Sequence, residues 1–160
     1  RKRYLELLVN HTPDCFHTSW VSVPELLNQD LICQSQTPYG QPGKEARIYC
    51  GDEIDVSFVD AKKCFPEVSD RKLREYCYAS LIYKYLRCGY AHEYWHDAHV
   101  THVTASCQQA RVSYIVRVSN GASRRMVSFH IEYLLDLAEH HVSCLADSAL
   151  QKPTTWWIDG

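Results

Sequence analysis

The chain has 160 residues, 46% of them hydrophobic, and a formal net charge of -2 from 17 Lys and Arg against 19 Asp and Glu. This is enough apolar sequence for the core of one domain, and so even a balance excludes attachment to nucleic acid or a membrane by net charge alone. No run reaches the roughly 18 apolar residues of a membrane span, since Lys84 and Arg87 interrupt the longest aromatic-rich stretch.

In chain order, Tyr4, Leu5, Leu7 and Leu8 lie on an amphipathic spacing that predicts a helix over residues 1–10, stopped by Thr12-Pro13-Asp14. Ser22 and Glu25 stand at capping-box spacing around Pro24, which predicts a second helix through Leu26, Leu27 and Leu31. Residues 34–47 are polar and rich in Pro and Gly, and read as a surface loop. Ile54, Val56 and Phe58 alternate with Glu53, Asp55 and Ser57, the pattern of a short strand. Ser69 offers an N-cap with Asp70 beside it, and Leu73, Cys77, Leu81, Tyr85 and Cys88 form one stripe of a long helix that Gly89 ends. Residues 111–131 alternate about Asn120-Gly121 and predict a β-hairpin. Glu132 to Leu145 carries Leu134, Leu135, Leu137, Ala138, His141, Val142 and Leu145 at helical spacing, giving a last helix, with the Trp156-Trp157 tail laid over it.

Eight cysteines are scattered with no two-residue-spaced pair, so neither a zinc knuckle nor a redox dithiol is indicated. With no apolar leader, most are expected as buried thiols of a cytoplasmic protein.

Chemistry concentrates between Arg87 and His96, where two patterns overlap. His92-Glu93-Tyr94-Trp95-His96 has the spacing of zinc metallopeptidases. On a continuous helix its two histidines lie about 40° apart and can share a metal, with Glu93 as general base. His102 stands where a third ligand is expected in metzincin-like patterns, although His99 occupies that pattern's glycine position. The second pattern is Arg87 followed, after four residues, by His92. Five residues apart on an ideal helix point about 140° away from each other, so Gly89 must end or kink the helix if they are to act together. The bland alternatives are a helix-end cation for Arg87, a His-rich polar loop for His96, His99 and His102, and packing for most of the tyrosines.

The segment Leu86-Arg87-Cys88-Gly89-Tyr90-Ala91-His92-Glu93-Tyr94, with Tyr83-Lys84-Tyr85 before it, resembles the signature of HEPN domains, and the resemblance extends over residues 69–145. It implies a mainly α fold, a HEPN-like helical bundle with a β-hairpin inserted before the last helix, in one domain over 1–160. It also implies endoribonuclease activity that needs no metal or other cofactor, with Arg87 and His92 catalytic at a cleft shared by a homodimer. RNA is the implied substrate, and an antitoxin or nucleotidyltransferase is a partner such domains often have. A non-catalytic module that binds RNA or protein is the alternative within the same resemblance. His92 suits proton transfer near neutral pH, and the Arg87 guanidinium suits the charge that develops on phosphorus. Glu93 would orient His92 or pair with Arg87, and Tyr90 and Tyr94 would stack on bases. Cys88 departs from the small polar residue that active members often carry after the arginine.

Overall fold

Three serines start three helices by the same device, a side-chain oxygen that accepts a first-turn N–H. Ser22 accepts from Glu25 N at 3.3 Å, Ser57 from Asp60 N at 3.1 Å and Ser69 from Lys72 N at 3.4 Å. The computed structural model describes residues 2–37, 39, 40, 47–88, 99–101, 110–119 and 121–151. Within them, α1 is Lys2–Asn10, α2 Val23–Asn28, β1 Tyr49–Cys50, α3 Gly51–Ile54, α4 Phe58–Cys64, α5 Asp70–Glu75 and α6 Tyr78–Ile82. A wider helical turn, Tyr83–Cys88, continues α6, followed by β2 Val100–Thr101, β3 Val112–Ser119, β4 Ala122–His130 and α7 Ile131–Gln151.

Three expectations are corrected. The strand expected over residues 54–58 is helix on both sides of a short extended step. Val56 bridges Val21, and Ser57, by capping α4, ends the extended run. The long helix expected from Ser69 to Cys88 is divided at Tyr76 and Cys77. There the chain pairs with residues 18–22: Ser22 N donates to Tyr76 O at 3.0 Å, Tyr78 N to Trp20 O at 2.9 Å and Ala79 N to Thr18 O at 2.9 Å. The apolar stripe survives the division, with Leu73 and Leu81 fully buried and Cys77 nearly so.

The third correction is the fold class. The hairpin is present, with β3 and β4 in antiparallel register from Val112↔Phe129 to Ser119↔Ala122, and Gly121 takes φ 78° in the connection, where a residue without Cβ is favoured. It is the middle of a four-stranded mixed sheet ordered β1-β3-β4-β2, in which β1 joins β3 antiparallel and β2 joins β4 parallel. The architecture is therefore mixed α and β, not a mainly α, HEPN-like helical bundle carrying only a hairpin. β1 has two residues, too few to show a period of two, and β2 is described over two.

The core lies where α2, α6 and α7 meet the sheet, around Leu26, Tyr78, Leu81, Tyr114, Val127, Phe129 and Leu137. Gly51 sits against it: a Cβ there would come within 2.3 Å of both the Tyr78 hydroxyl and Val112 Cγ2. Both neighbours are fully buried, so Gly51→Ala should destabilise the fold by about 3 kcal/mol in denaturant unfolding. A loss below about 0.5 kcal/mol, the scale of ordinary surface changes, would show that this packing relaxes freely.

The cysteines also depart from expectation. Among those described, Cys77 is buried, Cys15, Cys33, Cys64 and Cys144 are exposed thiols, and Cys50 is disulfide-bonded. No helix among the described residues is long and apolar enough to cross a membrane.

Candidate functional site

Arg87 and Cys88 are the last described residues of the helical turn Tyr83–Cys88. His92, Glu93, Tyr90, Tyr94, His96 and His102 lie outside the described residues, as does the Trp156-Trp157 tail. Of the residues assigned to either motif, the backbone of Arg87 and Cys88 is described, together with His99.

The two sides of the motif segment meet. The Tyr85 ring stacks on His99 with centroids 3.6 Å apart and planes 7° from parallel. His99 is buried and its Nδ1 lies 2.7 Å from Val127 O, which makes that nitrogen the protonated donor. On the other side, the Tyr85 hydroxyl donates to Glu25 Oε2 at 3.1 Å and accepts from Lys84 Nζ at 3.2 Å. Glu25 Oε1 receives Val127 N at 3.5 Å. A capping box would have turned the Glu25 carboxylate back to the start of α2. Here Ser22 N is taken by Tyr76 O, and Glu25 crosses to Tyr85 and β4. The chain thus leaves at Tyr85, two residues before Arg87, and returns at His99 to the same place.

A second constellation, missed from sequence, is the buried carboxylate Asp55. Its Oδ2 accepts from the hydroxyls of Tyr78 at 2.5 Å and Tyr114 at 2.6 Å, and its Oδ1 from Val23 N at 3.0 Å. Tyr114 Oη also lies 2.6 Å from Ser22 Oγ. Burial pushes the Asp55 carboxyl up to about 7, although the hydrogen bonds from Tyr114, Tyr78 and Val23 oppose the shift. Burial, and then the Asp55 charge, holds both tyrosines well above their ordinary range. All four polar groups face one another inside the core and tie α2, α6 and β3 together. The alternation of Asp55 with apolar residues gave no sign of this, because it placed Asp55 on a solvent face.

A third cluster fastens the turn at residues 14–17 to the start of β3. His17, at φ 54°, lies flat on Trp20 at 3.9 Å, with Nδ1 3.5 Å from Asp52 Oδ1, an ion-pair distance without hydrogen-bond geometry. Arg111 joins Asp52 at 3.2 Å and donates through Nε to Cys15 O at 2.9 Å. Burial lowers the His17 pKa, Arg111 lowers it further, and Asp52 opposes both. Among the described residues no three His, Cys, Asp or Glu side chains are gathered as a metal site. Comparison with known proteins finds no family model, no curated protein and no solved structure that matches the chain.

Proposed function

We propose that the segment from Arg87 to His92 is an RNA-cleaving site that works without a metal ion. The observation that supports it best is the stacking of the Tyr85 ring, two residues before Arg87, on His99 at 3.6 Å, which brings the two ends of the motif segment together. The mixed fold lends no support from architecture, so the reading rests on the HEPN-like motif and its setting. Arg87 stabilises the charge on phosphorus, and His92 moves the proton of the attacking 2′-hydroxyl or of the leaving oxygen. The purified chain, incubated in EDTA with single-stranded and structured RNA, is expected to cut. Intact RNA in both, or cutting only when divalent metal is restored, overturns the reading.

A cleft shared by two protomers is the second part of the proposal. It is favoured by the outer face of α7, where Leu135, Val142 and Leu145 are 62%, 65% and 53% exposed. With exposed Ala138 they repeat at three, four and three residues, the seam along which two helices pack. The solution mass should be that of a dimer, and the double change Leu135→Lys with Val142→Lys should give a folded monomer. A wild-type monomer at the concentrations used for cleavage would remove the shared cleft while leaving the chemistry at Arg87 to be tested.

A further inference from the structure

Residues 111–131 hold four arginines and no Asp or Glu, in a chain whose formal net charge is -2. Two of the four are engaged inside the fold: Arg111 pairs with Asp52 at 3.2 Å, and Arg125 is buried between Tyr39 and Tyr49. The other two, Arg117 and Arg124, are exposed and are register partners across β3 and β4. Partners in an antiparallel pair carry their side chains on the same face, with Cβ atoms about 5 Å apart. Two like charges at that spacing destabilise the pair, and arginine does not relieve the cost by releasing its proton. Asp30 borders the hollow beside Arg124 and makes no ion pair with it.

The pair stands where the hairpin leaves the body of the protein. Along β3, Val112 and Tyr114 are fully buried, Ile115 and Val116 are half-buried, and Arg117 and Val118 are exposed, the last by 68%. β1 pairs no further toward the tip than Tyr114, and β2 meets β4 at Phe129 and His130. Beyond these, among the described residues, the hairpin is a two-stranded arm that turns at Gly121. The root of this arm is also the root of the Arg87 segment, because Val127 N donates to Glu25 Oε1 and Val127 O holds the His99 ring. Arg124 is three residues from Val127 along β4, about 10 Å at the rise of a strand.

We infer that this arm holds the backbone of the RNA on which the Arg87 segment acts, with one phosphate seated between Arg117 and Arg124. The identity of the polyanion rests on the ribonuclease reading above, and its place rests on register, exposure and charge. A phosphate between the two guanidinium groups cancels their repulsion and accepts hydrogen bonds from both forks. Residues 117–124 include no aromatic side chain, so the arm gives bases no stacking surface. It positions the strand and does not read its sequence.

The test is RNA binding by the whole chain carrying His92→Ala, so that the strand survives, titrated with a labelled single-stranded RNA of mixed sequence at several salt concentrations. This parent is expected to bind. Adding Arg117→Gln and Arg124→Gln together should weaken binding about tenfold at low salt and make the logarithmic salt slope shallower by about 0.7, the share of one phosphate on a single strand. Arg124→Glu separates binding from folding. It places opposite charges across the strands, so the unfolding midpoint should rise while RNA binding falls. A parent that does not bind RNA, or a double Gln variant that binds with the parent's affinity and salt slope, overturns the arm and leaves cleavage at Arg87 to its own test in EDTA. Arm-dependent binding in a chain that never cuts RNA keeps the arm as an RNA-binding surface and removes only the ribonuclease reading.

Discussion

Arg87→Ala and His92→Ala should each lower RNA cleavage in EDTA by about 10²- to 10⁴-fold, the range lost with a positioned acid–base group or a charge-stabilising donor. The double variant should be little worse than either single one, because the two residues act on one transition state and their effects do not add. Circular dichroism and the unfolding midpoint of each variant are measured alongside, and wild-type values are expected. Arg87→Lys separates roles further. A lysine keeps the charge and loses the planar fork, so its activity should fall between wild type and alanine if Arg87 contacts phosphate oxygens. Full activity in either alanine variant would show that any cleavage arises elsewhere. Glu25→Gln and Tyr85→Phe, at the base of the segment, should have smaller effects on cleavage than Arg87→Ala.

The largest effect on stability is expected at Asp55. Asp55→Ala leaves the Tyr78 hydroxyl and Val23 N buried without their acceptor, while Tyr114 keeps Ser22. With roughly 1–3 kcal/mol for each of the two orphaned groups, the loss should be about 2–6 kcal/mol. Asp55→Asn preserves the shape and removes the titration, and therefore isolates the pH dependence. Folding raises the Asp55 pKa from 3.8 to about 7, so between those values the folded state holds a proton that the unfolded state has released. The contribution is fully present below about 3.8 and is lost as pH rises through about 7. Relative to the Asn variant, the wild-type protein should lose on the order of 4 kcal/mol across this window, at about 1.4 kcal/mol per pH unit. Urea unfolding of both proteins at several pH values measures it, and parallel stability curves would show that Asp55 titrates alike in both states.

Local signals carried well where the deciding interaction is close in sequence. Ser22 and Ser69 cap the helices that their side chains announce, and Asn120-Gly121 sits between two strands in register. Ser57, followed at the third position by Asp60, was an equally good cap signal, but the alternation around it competed and misled. The candidate site was legible only as a motif. The break expected at Gly89 lies outside the described residues. The closure of the segment by Tyr85 stacked on His99 was not legible, because the His99 ring is held by a carbonyl 28 positions along the chain.

By itself, then, the amino-acid order determined the caps, the hairpin and the last helix, since each depends on residues within a few positions of one another. Tertiary structure decided the rest. It divided the helix at Cys77, because residues 18–22 offered the backbone there better partners than a continued helix did. It also turned a lone hairpin into a four-stranded sheet, drew Asp55 from an expected solvent face into the core, and buried Arg125 between two tyrosines. These outcomes depend on partners far away in sequence, whose burial and hydrogen bonds outweigh local preference by several kcal/mol where propensity differs by about one.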